Sequence, residues 1–339
     1  MGKVNWGIIG LGNIANKFAE SFLYSTNGKL LGIASSNSDK LKKFKKKYNI
    51  DEKYCYNNYN ELLNNSKIDI IYIALPNSLH YEWMLRCIDR DKKFLVEKPA
   101  AINLKEIQNI KKFKKNKNFF FSEGFMYRFQ PQIFKTIDLI KNNQIGEILS
   151  IESNFGVDIL TSINFIGLKL KKKININNRL FNKDLGGGAI LDLGSYTVSF
   201  CTLMASLQKK FLNFTITNKK KEISKTNVDI DSYADLIFDN GIKSKIGASF
   251  LKNLGRQSKI IGDRGEILIH DTWLAEKPFI TLKKDKSVKI EIDNSKNIYS
   301  NEIDFISKCI LQNKHELDFP GLNLEDTITN TKILEEWLK

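Results

Sequence analysis

The sequence predicts an α/β protein with two domains: an N-terminal parallel sheet flanked by helices, and a C-terminal α+β domain with an open, mostly antiparallel sheet. Three observations support this. Strands and helices alternate through residues 4–121, a glycine-rich turn follows the first strand, and hairpins dominate after residue 203. Strand–helix alternation is typical of parallel sheets, and hairpins of antiparallel ones. The chain of 339 residues is long enough for two cores. We place the domains at residues 1–125 and 126–339.

The N-terminal domain is predicted from apolar runs that stop at glycine or proline and alternate with helical patterns. The predicted strands are Val4–Ile9, Lys29–Ala34, Ile68–Ala74, Phe94–Val96 and Phe119–Phe121. The predicted helices begin at Asn13 and cover Asp39–Tyr48, Leu79–Asp89 and Leu104–Lys115.

The C-terminal domain begins with a predicted strand at Ile148–Phe155, followed by a helix that opens at Gly186 and runs to Leu203. Turn residues between apolar runs then predict antiparallel hairpins within residues 236–242, 260–269 and 280–292. Two terminal helices are predicted, at Glu302–Gln312 and Leu324–Leu338.

The composition, with 42% hydrophobic and 27% charged residues, is that of a globular protein. No apolar run looks long enough to span a membrane, and the N-terminus lacks the apolar core of a signal peptide. The four cysteines are scattered and only three histidines are present, so we expect neither a disulfide framework nor a metal site. These features favour a cytoplasmic location.

The net charge of +15 is compatible with a nucleic-acid partner, or with helices whose solvated faces are rich in lysine. The lysines occur in short runs such as 42–47 and 111–115, and each run carries an apolar residue at helical spacing. No nucleic-acid motif accompanies them, and charge runs are usually solvated surface. We therefore expect no nucleic-acid partner and no membrane partner.

Residues 10–15 match the dinucleotide fingerprint G-x-G-x-x-G/A, with a strand before it and a helix after it. Gly10 permits the tight turn, Gly12 lets the backbone approach a pyrophosphate, and Ala15 lets the helix pack closely on the strand. Asn13 and Ile14 open the helix, where free amides can hold phosphates. The motif predicts a Rossmann domain that binds a nicotinamide dinucleotide.

The end of the second strand bears on the choice of cofactor. NAD sites usually place a carboxylate there for the ribose 2′-hydroxyl, but this strand ends at Ser35 and Ser36, with Lys40 behind them. Hydroxyls and a lysine accept a 2′-phosphate without repulsion, so NADP is expected in preference to NAD. Alternatively, Ser36 or Ser38 caps the following helix.

Further segments agree in order with those of a known family. They are Leu75–His80, Val96–Pro99, Glu123–Phe129, Arg179–Asn182 and Gly186–Tyr196, together with the fingerprint. In this set the chain resembles the Gfo/Idh/MocA family of oxidoreductases over nearly its whole length. It is closest to the branch of glucose–fructose oxidoreductase, dimeric dihydrodiol dehydrogenase and NADP-dependent xylose dehydrogenase.

The resemblance implies three catalytic residues. Lys98 of the Glu-Lys-Pro segment is a catalytic lysine in the family, often before a cis proline. Asp192, in the helix after the glycines, contacts the substrate, and Tyr196 stands where many members have a histidine. Asp192 and Tyr196 are four residues apart and share one helix face.

The cofactor is expected to contact residues at two further strand ends, because open parallel sheets bind ligands at their carboxyl edge. His80 is equally able to cap its own helix. The expected contacts are Leu75, Pro76, Asn77, His80, Glu97 and Lys98.

Two arginines are candidates for binding the substrate. Arg128 follows the last parallel strand and is expected to bind substrate or cofactor, or to pair with a helix carboxylate. Arg179 is expected either to bind substrate or to anchor its loop. The segment Asp158–Ile176 matches the family poorly and is expected to border the substrate.

Together these residues predict an NAD(P)-dependent dehydrogenase or reductase acting on the CH–OH group of a sugar, polyol or related small molecule. Tyrosine and lysine have pKa values near 10 in water, so whichever group is the base needs a lowered pKa, and the sequence leaves that choice open. The alternatives are a dihydrodiol-type dehydrogenase and a non-catalytic dinucleotide-sensing regulator.

A homodimer or homotetramer is expected through the C-terminal sheet. Few helices are predicted to cover the second face of that sheet, and an uncovered apolar face would form a large exposed patch.

Overall fold

The computed structural model describes residues 2–115, 117–164, 168–208, 210–211, 213–294 and 296–339. The chain folds into two compact units, Met1–Phe129 with Ser295–Ile328, and Gln130–Asn294 with Thr329–Lys339. Each unit therefore contains a segment from the C-terminal end of the chain.

The strands and helices are numbered in chain order. The strands are β1 Val4–Ile9, β2 Gly28–Ala34, β3 Cys55–Tyr56, β4 Ile70–Ile73, β5 Lys93–Glu97, β6 Phe121–Gly124, β7 Ile148–Gly156, β8 Thr161–Ile163, β9 Lys169–Lys171, β10 Phe214–Ile223, β11 Asp229–Phe238, β12 Lys243–Ser249, β13 Ser258–Gly262, β14 Glu266–His270, β15 Phe279–Lys283 and β16 Ser287–Glu291. The α-helices are α1 Asn13–Ser21, α2 Ser38–Tyr48, α3 Tyr59–Asn64, α4 His80–Asp89, α5 Leu104–Lys114, α6 Pro131–Lys141, α7 Ser195–Ala205, α8 Ile298–Leu311 and α9 Leu324–Leu338.

The first unit is built on a six-stranded parallel sheet in the order β3-β2-β1-β4-β5-β6, the order of the Rossmann fold. All four residues of β4 are buried, as expected of a strand with helices on both faces. The α/β prediction is confirmed for this part of the chain. The last strand begins at Phe121 and not at Phe119, and its four residues pair with Phe94 to Glu97 of β5, so that it includes the polar residues Ser122 and Glu123.

The lysine-rich helix α2 packs as predicted, whereas Phe113, the apolar residue of the run 111–115, is exposed. In α2 the apolar residues Leu41 and Phe44 are buried, while the lysines between them face outward. Lys47 lies 4.0 Å from Glu20, and Lys45 pairs with Glu52. The run is thus the solvated face of an amphipathic helix.

The second unit contains an eight-stranded sheet in the order β10-β11-β12-β7-β13-β14-β15-β16. Every neighbouring pair is antiparallel except β12 and β7, which confirms the predicted open, mostly antiparallel sheet. Helix α7 packs on one face of this sheet and is buried along its whole length. The short strands β8 and β9 pair with each other, and residues 165–167 of the poorly matching segment lie outside the described residues.

The segment Lys183–Ala205 is, by length and composition, apolar enough to cross a membrane, so the prediction that no run is long enough was wrong. However, 94% of its most apolar window is buried. It is a core helix, and its apolar side chains pack against protein on all sides.

The other face of the second sheet differs from the apolar surface that the sequence suggested. Across four adjacent strands, Asp235 lies opposite Lys245, Lys245 opposite Glu152, and Glu152 opposite Lys259. The sign of the charge alternates along this row, which we call the charged row.

Helix α8 returns to the first unit and is held there by a buried carboxylate. Asp304 Oδ1 accepts hydrogen bonds from Ser25 Oγ at 2.6 Å and from the main-chain N–H of Asn27 at 2.9 Å, and Lys296 lies 2.8 Å from Oδ2. Burial alone would raise the pKa of Asp304, but these donors outweigh it and lower the pKa.

We expect Asp304→Asn to reduce the free energy of unfolding by about 2 kcal/mol at neutral pH, the usual size for hydrogen bonds to a charged group. Because the pKa in the folded state is lowered, this contribution is present above pH 3.8, the ordinary value, and is lost as the pH falls through the folded-state pKa. Urea unfolding of both chains at pH 7 and pH 3 measures it. A difference between the chains that is as large at pH 3 as at pH 7 contradicts the assignment.

Candidate active site

The turn between β1 and α1 has the geometry of a phosphate cradle. Gly10 has φ of +86°, and a Cβ there would lie 2.5 Å from the carbonyl oxygen of Ala74. A Cβ on Gly12 would meet no atom within 4 Å, so the space above the turn is open. Within the described chain, α1 has neither a side-chain cap nor an acidic residue in its first turn. The N–H groups at its start suit the phosphates of a dinucleotide.

The end of β2 is polar and carries no carboxylate. Asn37 caps α2 by accepting a hydrogen bond from the main-chain N–H of Lys40 at 2.9 Å, so the suggested caps Ser36 and Ser38 are not used. Ser35 is buried and its Oγ accepts from the N–H of Asn37 at 3.1 Å. Ser36 and Lys40 are exposed, and both are available to a ligand at this strand end.

His80 lies at the start of α4 and links two neighbouring strand ends. Its Nε2 is 2.9 Å from the carbonyl oxygen of Leu75, and its Nδ1 is 2.9 Å from that of Pro99. The ring is fully buried, whereas Leu75 and Pro76 are half-buried. His80 therefore ties the loop after β4 to the turn after β5, a different role from capping its helix.

The turn Lys98–Ala100 follows the carboxyl end of β5. A side chain from outside the turn contacts the main chain of each of its three residues. The Lys98–Pro99 peptide is cis. Glu97 Oε2 accepts from the N–H of Lys98 at 3.2 Å, and Glu123 Oε1 accepts from the N–H of Ala100 at 2.9 Å. His80 contacts the carbonyl of Pro99 between them. Lys98 is thus carried on backbone with fixed geometry.

Glu123 is a functional residue that the sequence analysis quoted within a segment but gave no role. Its Oε2 accepts a hydrogen bond from Thr327 Oγ1 at 2.8 Å, in addition to the bond from Ala100. Burial raises the pKa of Glu123 to about 7, although these bonds and the nearby Arg128 oppose the shift. The signal in the sequence was a glutamate two residues after the run of phenylalanines at 119–121, at a position that a buried strand was expected to reach.

Arg128 is buried rather than exposed at a pocket wall. Its Nη1 donates to the carbonyl oxygen of Pro320 at 3.0 Å, and its charge acts on Glu123. The guanidinium therefore joins the segment after β6 to the segment before α9.

In the second unit the glycine-rich segment begins with a tight turn. Gly188 has φ of +114°, and a Cβ on Gly187 would lie 2.6 Å from the carbonyl oxygen of Arg179. A π-helical turn, Ile190–Gly194, follows and leads into α7. Only glycines allow the backbone to pack this closely before the helix starts.

Asp192 and Tyr196 project from this π-helical turn and from the first turn of α7. The carboxylate of Asp192 is 16% exposed, and Arg179 Nη2 donates to its Oδ1 at 3.4 Å. The ring of Tyr196 packs against Phe155 and Trp273, with centroids 5.5 and 5.8 Å apart. Thus Arg179 and Asp192 lie together, while Tyr196 is oriented by an aromatic cluster.

Asp229, on β11, is a second residue that the sequence analysis missed. Its Oδ2 accepts from the N–H of Ile190 at 2.8 Å and from Ser232 Oγ at 3.0 Å. Burial raises the pKa of Asp229, and both hydrogen bonds oppose that shift. Asp229 thus caps the start of the helix that carries Asp192. It lies 39 residues after Ile190 in the chain, so no local sequence pattern indicates this contact.

The predicted site residues therefore fall into two groups, and each group lies in one unit. The first unit brings the Gly10–Ile14 turn, the β2 end, the β4 end with Asn77 and His80, and the Lys98 turn to the carboxyl edge of one sheet. The second unit brings Arg179, Asp192 and Tyr196 to the start of one helix. Across the described residues, no cluster of three or more His, Cys, Asp or Glu side chains is placed to hold a metal ion.

The chain is similar in sequence to known dehydrogenases and similar in fold to a solved oxidoreductase structure. The chain is 27% identical to trans-1,2-dihydrobenzene-1,2-diol dehydrogenase of Xenopus tropicalis, over 98% of this chain and 97% of the relative. It is 25% identical to D-xylose 1-dehydrogenase (NADP(+)) 2 of Haloferax volcanii, over 72% and 69% of the two chains. The structure of aldose–aldose oxidoreductase from Caulobacter crescentus, complexed with glycerol, has the same fold, with a TM-score of 0.85 at 21% identity over 99% and 96% of the chains.

Two family models cover most of the chain. Residues 4–125 match the oxidoreductase family with an NAD-binding Rossmann fold, and residues 135–268 match the GFO/IDH/MocA C-terminal domain. The chain therefore belongs to the Gfo/Idh/MocA family of NAD(P)-binding oxidoreductases.

Proposed function

We propose that this protein is an NADP-dependent dehydrogenase or reductase acting on a CH–OH group of a sugar, polyol or related small molecule. We further propose that residues 1–125 bind the dinucleotide, and that residues 126–339 bind the substrate and form the oligomer. The polar end of β2, with Ser35, Ser36 and Lys40, supports NADP in preference to NAD. The similarity to a diol dehydrogenase and to a xylose dehydrogenase supports the substrate class.

The observation that carries the proposal is the Lys98–Ala100 turn, whose three residues contact Glu97, His80 and Glu123. Burying polar groups in this way costs free energy, and such an arrangement persists where a side chain must be positioned accurately. The turn lies two strands from the phosphate cradle, on the same edge of the sheet.

In the proposed reaction the carbinol carbon loses a hydride and its hydroxyl loses a proton. The nicotinamide, when bound, supplies the hydride acceptor. Lys98 Nζ or Tyr196 Oη takes the proton, and Asp192 orients a substrate hydroxyl, with Arg179 holding its carboxylate. In the opposite direction, the same steps reduce a carbonyl group to an alcohol.

The sequence identity of 27% to a dihydrodiol dehydrogenase supports a second substrate class, a cyclic vicinal diol. A non-catalytic dinucleotide sensor is less well supported. Such a sensor has no need of a lysine placed on a turn whose main chain is hydrogen-bonded at every residue. Turnover against aldoses, polyols and cyclic diols distinguishes these functions.

We also propose a cytoplasmic homodimer or homotetramer. The four cysteines carry free thiols, as expected of a reducing compartment. A concavity of about 870 Å³ on the second sheet includes Glu152, Asp235 and Lys245 of the charged row, together with Tyr233. A row of alternating sign can pair with the same row of a second copy related by a two-fold axis.

NADP(H) is expected to bind at least several-fold more tightly than NAD(H), because the β2 end offers hydroxyls and an ammonium to a 2′-phosphate. Lys40→Ala is expected to weaken binding of NADPH while leaving that of NADH unchanged. Fluorescence titration of both cofactors gives the dissociation constants. Equal loss for both cofactors would show that Lys40 has only a structural role.

Lys98→Ala and Tyr196→Phe are each expected to cut turnover by about 100-fold or more, the range for loss of a general acid or base. Cofactor binding is expected to survive, since the phosphates are held at Gly10 and Gly12. The double variant is expected to be little worse than the poorer single variant, because groups acting as one unit are non-additive. Near-normal turnover of Lys98→Ala on a verified substrate contradicts the catalytic assignment.

Light scattering at micromolar concentration is expected to show a dimer or tetramer. Lys245→Glu places three like charges next to one another in the charged row and is expected to shift the assembly towards monomer. Lys105→Glu, on the surface of the first unit, is the matched control and is expected to leave the assembly unchanged. A monomeric native chain rules out the proposed interface.

A further inference from the structure

Glu123, on β6, joins the turn Lys98–Ala100 to helix α9. Its Oε1 accepts a hydrogen bond from the main-chain N–H of Ala100 at 2.9 Å, and its Oε2 accepts one from Thr327 Oγ1 at 2.8 Å. The residue is only 3% exposed. Both oxygens of a buried carboxyl group are therefore used as acceptors, and one of them binds the main chain two residues after Lys98.

The charge of Glu123 decides how strongly it holds Ala100. Hydrogen bonds to an ionised acceptor are roughly twice as strong as those between neutral groups. Protonation of Oε2 removes the charge, and the hydroxyl of Thr327, which can accept as well as donate, is able to reverse its role. The bond from the Ala100 N–H is then weakened although no atom has left the site.

Charged and polar groups from several elements act on this carboxyl group. The N–H of Ala100, the hydroxyl of Thr327 and the guanidinium of Arg128 favour its charged form, in that order. Glu97, at the end of β5, repels the charge. Burial outweighs all of them and raises the pKa of Glu123 to about 7. Glu123 therefore changes its charge near neutral pH.

We propose that Glu123 is a positioning residue for Lys98: its charged form holds the N–H of Ala100 and fixes the turn, and its protonated form loosens the turn. The role of Lys98 rests on the proposed function, whereas the link between Glu123 and Ala100 does not. Because the charged form also bears the cost of burial, the fold loses stability over the same pH range in which the turn is tightened.

The link is tested on the full-length chain without substrate, by nuclear magnetic resonance of protein that contains isotope-labelled alanine. The amide signal of Ala100, identified by its loss in Ala100→Gly, should shift with pH around a midpoint near 7. It should not titrate in Glu123→Gln, which keeps the shape of the side chain but has no proton to lose. An Ala100 signal that stays constant from pH 5.5 to pH 8.5 in the native chain overturns the proposal.

Thr327 offers a second test that leaves Glu123 in place. Thr327→Val removes a hydroxyl that favours the charged form, so the midpoint of the Ala100 titration should move to higher pH. Thr327→Ser keeps the hydroxyl and should leave the midpoint unchanged. A midpoint that Thr327→Val does not move also overturns the proposal, since the titrating group would then not be Glu123.

Glu106→Gln is the matched control. Glu106 Oε2 accepts the main-chain N–H of Ile102 at 3.2 Å, so it is a glutamate that binds the same stretch of main chain just beyond the turn. Its replacement should leave the Ala100 titration as it is in the native chain. A titration that disappears in Glu106→Gln assigns the proton to Glu106 and overturns the proposal.

The positioning role is tested with NADPH and a verified substrate. Since glutamine resembles the protonated form, kcat of the native chain and of Glu123→Gln should be about equal at pH 5.5. The native chain should then become about tenfold faster than Glu123→Gln by pH 8.5, because small displacements of a catalytic group have large effects on rate. A ratio of the two kcat values that does not change with pH overturns the positioning role, even if Ala100 titrates.

Urea unfolding separates this role from a general effect on the fold. The pKa of Glu123 is raised in the folded state, so its contribution to stability is present below pH 4.5 and is lost as the pH rises through about 7. Relative to Glu123→Gln, the native chain should thus lose stability while it gains kcat, whereas a purely structural role would make both fall together. If no substrate is turned over, the proposed function fails, while the Ala100 titration still decides whether Glu123 holds the turn.

Discussion

The turn Lys98–Ala100 is the constraint on which the first unit depends. Its two amides are bound by Glu97 and Glu123, and its middle carbonyl by His80, so side chains from three elements meet at one turn. Each of these groups would cost free energy if left unpaired in the interior. Their mutual satisfaction explains why the ends of β4, β5 and β6 are held together.

The C-terminal return completes this arrangement. Thr327 donates to Glu123, and Asp304 binds the loop before β2, so α8 and the start of α9 close the first unit from its far end in sequence. Thr327, 204 residues further along the chain, thus completes the hydrogen bonding of Glu123, and a Rossmann segment cut at residue 125 would lack this contact.

In the second unit, too, a carboxylate from a distant part of the chain binds a main-chain N–H group next to the predicted site residues. A π-helical turn leaves its first N–H groups without partners inside the helix, and Asp229 accepts one of them from a neighbouring strand. Gly188 is needed because a Cβ there would lie 2.3 Å from the carboxylate of Asp229. The absence of a side chain at Gly188 therefore leaves room for the carboxylate of Asp229. That carboxylate in turn fixes the start of the helix from which Asp192 and Tyr196 project.

Local patterns in the sequence determined the order and type of most elements, the phosphate turn and the family, because apolar period, glycine position and motif spacing are local properties. β1 and α9 agree with the structure to the residue. Only the tertiary structure decided the partners of buried polar groups, as in Glu123 with Ala100 and Asp229 with Ile190. It also decided that Arg128 is buried, and that the outer row of the second sheet is charged. Such partners come from distant parts of the chain, and their energies depend on burial, which no local pattern encodes.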